Sequence, residues 1–376
     1  MWDDVVGQEK AVALLRAAVV GGAHSMSHAW LVTGPAGSGR SNAARAFAAA
    51  LQCEADGCGD CGACRTALSG AHPDVTLVRT EQLSIGVDEV RQLVRRAAMA
   101  PTLGRYQVLV VEDADRVTER GADALLKAIE EPARRTVWLL CAPTPDDVVV
   151  TIRSRCRPLA LVTPSDDAVA AVLAARDGVP ADEARFVARI AQGHIGRARA
   201  LARGGPAMAR RRATLALPHR LTGLGAALAA AAELVTAAEE EAEQATAELD
   251  ARERDDLTLT LATGARGVKA RHAGGALKDL AEQQALRAKR FQRDSLDRAL
   301  TELTGYYRDV LARQTGAGVA PLNVDVEADI AVTAERSTPE TTVHRLDAIL
   351  ECREQLERSV APLLAFESLL VALVRK

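Results

Sequence analysis

Between residues 29 and 162 the chain alternates short apolar runs with stretches of helical spacing. The runs 29–33, 74–78, 106–111, 136–142 and 158–162 are mostly uninterrupted by polar residues, which predicts strands buried on both faces. Between them, 40–52, 87–98, 120–130 and 145–153 repeat apolar positions every three or four residues and predict helices. Strands alternating with helices imply a mostly parallel sheet covered on both sides. This α/β region is expected to occupy residues 1–163.

After Thr163 the strand pattern stops. Residues 165–177 and 181–191 predict two short helices, opened by Ser-Asp-Asp and Pro-Ala-Asp. Gly193 and Gly196 precede a third helix near Arg197, giving a small helical unit over 164–204. From 205 to 376 the pattern is helical throughout. An Ala-rich helix over 224–255 carries an acidic run at 239–243, and 295–311 shows helical spacing. A loop follows at 316–321, and 338–373 predicts one or two helices bent at Pro362. Arg266, Lys269, Arg271, Lys278, Arg287, Lys289, Arg290 and Arg293 make 264–294 locally basic. That stretch reads either as a solvated helix face or as a surface for a nucleic-acid backbone; with Phe291 its only aromatic, base stacking is not indicated.

Composition narrows the partners. Over 376 residues, 48% are hydrophobic but only 3% aromatic, so the core must be built of Ala, Val and Leu. A net charge of −3 gives no global attraction to nucleic acid or to a membrane surface. No run of about 18 apolar residues predicts a membrane span, and the first residues do not have the order of a secretory signal. A cytoplasmic protein is expected.

The strand 29–33 runs into Gly34-Pro-Ala-Gly37-Ser-Gly39-Arg40-Ser41 and then a helix. This is the frame of a phosphate-binding loop, in which glycines let backbone N–H groups converge on phosphate oxygens at a helix N-terminus. Ser41 stands where a hydroxyl would ligate Mg²⁺. Arg40 replaces the lysine that reaches the β- and γ-phosphates, and guanidinium is larger, planar and differently directed. The chain retains lysine elsewhere, as at Lys127, so arginine bias alone does not account for the change. The strand 106–111 ends in Glu112-Asp113, the reverse of the Asp-Glu order that serves Mg²⁺ and the attacking water. Both departures point away from hydrolysis and leave ATP or ADP binding open. A plain glycine-rich turn and an ordinary acidic strand end are the structural alternatives.

Cys53, Cys58, Cys61 and Cys64 are spaced C-x4-C-x2-C-x2-C. Such spacing lets four thiolates converge on tetrahedral Zn²⁺, and Gly57, Gly59 and Gly62 permit the tight turns. With no acid or base adjacent, the expected role is structural; unliganded or redox thiols are the alternative. Cys141, Cys156 and Cys352 read as small buried hydrophobes, and His72 as a structural residue at a helix end.

Taken in order, Val6-Gly7-Gln8, the phosphate loop, the cysteine cluster with Ala71-His-Pro-Asp74, Ala124-Leu-Leu-Lys-Ala-Ile-Glu-Glu-Pro132 and Ser154-Arg-Cys156 resemble bacterial DNA polymerase III clamp-loader subunits, members of the AAA+ ATPases. The resemblance covers roughly residues 3–203. Its altered phosphate loop and acidic pair are similar to the delta-prime branch, whose members brace a five-subunit ring. The resemblance implies an AAA+ domain over 1–163 with a zinc knuckle, a helical lid over 164–204 and a helical collar over 205–376. It makes Arg155 an arginine finger acting in trans, Thr144 a first sensor and Arg197 a second. It also implies gamma/tau motor subunits, a delta subunit and the sliding clamp as partners, with primer-template DNA met through the assembled complex. The rival readings are a hydrolysing AAA+ ATPase, either a motor subunit or a DNA-repair enzyme, and a zinc-dependent nucleic-acid-binding module.

Overall fold

A computed structural model describes residues 1–21, 26–80, 84–263 and 269–374, with side chains except at 260–263 and 269–273. The chain divides into two units, Met1–Arg203 and Gly204–Lys376.

In the first unit, α1 (Glu9–Val20) precedes β1 (Ala29–Thr33), and α2 (Arg40–Gln52) leads through the cysteine segment to α3 (Gly62–Ser69). Then come β2 (Val75–Val78), α4 (Val87–Ala97), β3 (Gln107–Val111), α5 (Glu119–Glu130), β4 (Thr136–Ala142), the single turn α6 (Val150–Arg153) and β5 (Arg157–Ala160). The predicted helix over 145–153 is instead a 3-10 turn, Pro145–Asp147, followed by α6. Pro145 opens the turn, and the extended residue Val148 separates it from α6.

The five strands form one parallel sheet in the order β2-β3-β4-β1-β5. Side chains alternate across it with the period of two that strand geometry imposes. Trp30 and Val32 enter a core with Phe47 and the alanines of α2, whereas Leu31 joins Leu109, Trp138 and Leu140 against α4 and α5. Trp30 meets Phe47 edge-on, with ring centroids 5.2 Å apart. An alanine-rich α2 lets the helix lie close to the sheet without large side chains. Because every strand runs the same way, the segments after β1, β3, β4 and β5 emerge at one edge, where open α/β sheets place their ligand sites.

Three further helices complete this unit: α7 (Asp166–Asp177), α8 (Ala181–Ala191) and α9 (Ile195–Ala202). Ser165 caps α7 by accepting from Ala168 N–H, as its Ser-Asp-Asp start signal predicts.

The second unit is helical: α10 (Pro206–Leu215), α11 (Leu217–Arg220), α12 (Leu224–Thr263), α13 (Lys269–Thr315), α14 (Glu327–Arg336), α15 (Pro339–Glu357) and α16 (Pro362–Val374). Pro362 begins a new helix and does not bend an existing one, as its fixed φ and missing N–H favour. The core draws on α12 between Ala227 and Ala238 and on α13 between Leu296 and Val310. Beyond these segments the two long helices are joined by polar contacts. Arg287, buried, reaches Asp250 at 2.6 Å and Glu253 at 2.7 Å, and Gln284 donates to Asp250 O at 2.9 Å. A cleft of about 540 Å³ opens between them, lined by Ala247, Asp250, Leu277, Leu280, Gln284 and Ala288 among others.

These contacts change the reading of the charged stretches. Arg287 is consumed inside the hairpin, Lys278 pairs with Glu282 and Arg290 with Asp294. Arg266 and the side chains of Lys269 and Arg271 lie outside the described residues. In the acidic run, Glu241 is engaged by Arg210 and Arg298, each at 2.9 Å.

Candidate functional site

The segment after β1 has the backbone of a phosphate loop: Gly34, Gly37 and Gly39 all have positive φ, and α2 starts at Arg40. At Gly37 a Cβ would lie 2.5 Å from the Cα of His194, so only glycine allows this approach. His194 caps α9, its Nδ1 accepting from Arg197 N–H at 3.2 Å. The helix that carries Arg197 therefore abuts the phosphate loop. Gln8, buried, ties the same edge together: its Nε2 donates to Ser38 O at 3.2 Å and to Val162 O at 2.6 Å. Its Oε1 accepts from Val162 N–H at 3.0 Å.

Two charged groups of this edge are engaged from within the chain. Arg40 Nη1 donates to Gly34 O, the carbonyl at the start of the loop. Glu112, at the end of β3, is buried and accepts from Arg45 Nε and Nη2, both at 2.7 Å. Asp113 lies 4.0 Å from Arg116. Burial lifts the Asp115 carboxyl above its ordinary range, its own N–H and the cations Arg116 and Arg40 offset this in part, and Asp113 adds to it. Ser41 is half-buried at the first turn of α2, and Ser38 Oγ is buried without a hydrogen-bond partner among the described residues. Thr144 follows β4 at the same edge, but its hydroxyl and its N–H both donate to Asp147 Oδ2, at 2.8 and 2.7 Å.

The structure thus brings Gly34, Gly37, Gly39, Arg40, Ser41, Glu112 and Asp113 to one edge beside the helix of Arg197, and commits the hydroxyl of Thr144 to a local cap. Sequence reasoning missed Arg45. The available signal was a lone arginine amid alanines, on the helix that opens with Arg40.

The cysteine cluster lies at the far end of α2, about 20 Å along its 13 residues. Cys53 closes α2 and Cys61 caps α3. All four Sγ atoms lie within 4.8 Å of one another, with Cys53 Sγ 3.6 Å from Cys58 Sγ and 3.8 Å from Cys61 Sγ. A tetrahedron with Zn–S bonds of about 2.3 Å has S···S edges of about 3.8 Å, so the four thiols fit that ion. Their proton chemistry agrees. Burial raises the Cys53 thiol, yet the N–H groups of Cys58, Gly57 and Ala55 outweigh it and bring it down to about 6. Burial, the neighbouring thiols and the charge of Cys53 push Cys64 well above the ordinary range. Thiols so close cannot all ionise unless a cation offsets the repulsion. Zn²⁺ held by Cys53, Cys58, Cys61 and Cys64 would supply that charge and cross-link α2 to α3.

His72 belongs to a neighbouring turn and not to this cluster: its Nδ1 accepts from Asp74 N–H at 3.1 Å. Asp74, buried, accepts from the N–H groups of Thr102, Leu103 and Gly104 at 2.6, 2.8 and 2.6 Å, clasping the segment that leads to β3. Cys141, Cys156 and Cys352 are buried.

Arg155 stands just beyond α6, and its side chain is 38% exposed. Its Nη1 donates to Thr151 O at 2.8 Å and Ser154 Oγ at 3.2 Å, and its Nη2 is 2.5 Å from Glu130 Oε1. The Ser-Arg-Cys segment and the Glu-Glu-Pro end of α5, far apart in sequence, meet in this ion pair.

Residues 7–165 match the family model described as DNA polymerase III, delta subunit. The chain is 36% identical over 191 residues to the DNA polymerase III subunit gamma/tau of Mycobacterium tuberculosis, covering 49% of this chain and 33% of that one. It is 39% identical over 143 residues to DNA polymerase III subunit delta' of Pseudomonas aeruginosa, covering 36% of this chain and 44% of that one. The matches therefore span a third to under a half of those relatives' lengths. A gamma subunit-related protein of Thermotoga maritima superposes over 76% of the chain with a TM-score of 0.36 and 15% identity, too distant a likeness to weigh on the reading. No helix among the described residues is long and apolar enough to cross a membrane.

Proposed function

We propose that this chain is a clamp-loader subunit of DNA polymerase III of the delta-prime type, a stator that braces the loader ring without turning over ATP itself; its similarity to that family over residues 7–165 and to gamma/tau and delta' relatives supports this reading. The observation that carries this reading is that Arg40 and Glu112, at the phosphate-loop edge, are both engaged by other groups of this chain. Arg40 is turned onto Gly34 O, and Glu112 is held by Arg45. Hydrolysis needs a cation on the β- and γ-phosphates, a carboxylate on Mg²⁺ and another on the attacking water. Here the cation faces a backbone carbonyl, and Glu112, the carboxylate at the end of β3, is already paired with Arg45.

In this reading Arg155 supplies a planar cation to the nucleotide of a neighbouring gamma/tau subunit, where it offsets charge developing on the transferring phosphoryl group. The cysteine cluster is a structural zinc knuckle, 164–204 is the lid, and the helices of 205–376 form the collar that joins the subunits. The delta subunit, the sliding clamp and primer-template DNA are then met in the assembled loader, in the cytoplasm. ATP or ADP bound at the degenerate loop would have a structural role.

The test is ATP turnover by the purified chain, alongside its Arg40→Lys and Arg45→Ala variants. The native chain should show no turnover above a protein-free control. Sustained hydrolysis by the native chain, abolished by Ser41→Ala, would refute the stator reading and favour a motor subunit.

A further inference from the structure

The ion pair between Arg155 and Glu130 has a geometry that bears on how a surface arginine could act on another chain. Each partner follows or precedes a buried anchor. Ile129, next to Glu130, is fully buried at the end of α5, while Ile152 and Cys156 flank Arg155, and all three enter one core cluster. Both backbones are therefore fixed by packing, and what remains free is the long arginine side chain, whose many rotamers would scatter an unpartnered guanidinium. Three contacts from this chain limit that scatter: Thr151 O and Ser154 Oγ on Nη1, and Glu130 Oε1 on Nη2. Nε–H carries no partner among the described residues. Neighbouring arginines are otherwise committed, Arg153 to Asp146 and Arg157 over the ring of Trp30 at 4.7 Å.

We propose that Glu130 is a positioning residue for Arg155, fixing the guanidinium plane so that its remaining N–H groups are presented to a phosphate oxygen of a neighbouring subunit. The inference rests on the reading of Arg155 as a finger acting in trans. Glu130 does not touch the nucleotide. It limits the arginine's freedom before the neighbour's phosphate arrives, so its contribution lies in the chemical step and not in nucleotide binding.

The experiment is steady-state ATP hydrolysis by a loader assembled from motor subunits and this chain. The chain is native, Glu130→Ala, Glu130→Gln, Arg155→Ala or the Glu130→Ala/Arg155→Ala double variant, each checked for an unchanged melting temperature. Glu130→Ala should lower kcat about fivefold, the most that a half-exposed pair supplies, with KM within about twofold, as loss of a contact made only in the chemical step requires. Glu130→Gln, which keeps the shape but not the charge, should fall between, and serves alone should the alanine variant misfold. On the Arg155→Ala background, removing Glu130 should cost nothing further. If Arg155→Ala lowers kcat while both Glu130 variants match the native chain, the positioning role is overturned and the finger stands. A rise in kcat would make Glu130 a competitor for the guanidinium and equally overturn it. If Arg155→Ala itself has no effect, the finger reading fails and the role of Glu130 fails with it.

Discussion

Removing Arg45 should destabilise the first unit more than removing the carboxylate it holds. Glu112 has a side chain only 6% exposed and receives two bonds, each at 2.7 Å, from Arg45 Nε and Nη2. Arg45→Ala leaves that carboxylate buried without its partner. Breaking a fully buried pair in this way costs about 3–5 kcal/mol. Arg45 is itself one-third exposed, so solvent screens part of the interaction and a loss of about 2 kcal/mol is expected. Glu112→Ala frees a cation that can turn to water and should cost only about 1 kcal/mol. The double variant should resemble Glu112→Ala, because the penalty in Arg45→Ala comes from the orphaned carboxylate. In a unit of about 200 residues, 2 kcal/mol corresponds to a fall of about 4–8 °C in melting temperature. Urea unfolding of the four proteins, followed by circular dichroism, measures the cycle. Arg45→Ala within about 0.5 kcal/mol of native, the range of an ordinary surface change, would refute the reasoning.

Three further outcomes follow from the same geometry. Elemental analysis should find one zinc per chain, and Cys64→Ser should lose it and expose the α2–α3 junction to proteolysis; a full complement of zinc in that variant would remove Cys64 from the ligand set. Asp74→Ala should cost about 3 kcal/mol by stranding three N–H groups. Burial alone would raise the Asp74 carboxyl, but the N–H bonds from Thr102, Gly104 and Leu103 outweigh it and hold it below the usual range. Its stabilisation should therefore be complete above about pH 4, the unfolded aspartate range, and fade as pH falls further; equal acid sensitivity in native and Asp74→Asn chains would contradict this. Gln8→Ala should cost about 1–2 kcal/mol and speed amide exchange at Val162, whose N–H it accepts; unchanged protection there would show that the contact is not maintained in solution.

Much of the fold was legible because the apolar runs at 29–33, 106–111 and 136–142 leave no polar face, as suits a parallel strand covered on both sides. The 145–153 segment misled because its apolar spacing suggested a helix, while Pro145 and the cap made by Thr144 and Asp147 hold only one turn. Spacing and glycines were enough to foresee the cysteine cluster, since x2 intervals bring thiols together locally. Pairings across the fold left no such local signature. Nothing in the sequence near Glu130 or Arg155 says that they meet, nor that Arg45 reaches Glu112, because these contacts depend on how α2, α5 and α6 pack. The basic stretch showed the same limit from the other side: Arg287 looked like surface charge, yet the acids that bury it lie on α12.

ATP hydrolysis by gamma/tau motor subunits, measured with this chain in native form and as Arg155→Ala, and with the chain alone, tests the central claim most directly. The account predicts no turnover by the chain alone, stimulation in the native mixture, and loss of most of that stimulation with Arg155→Ala although the complex still assembles. Turnover by the chain alone, or stimulation undiminished in an assembled Arg155→Ala complex, would contradict it.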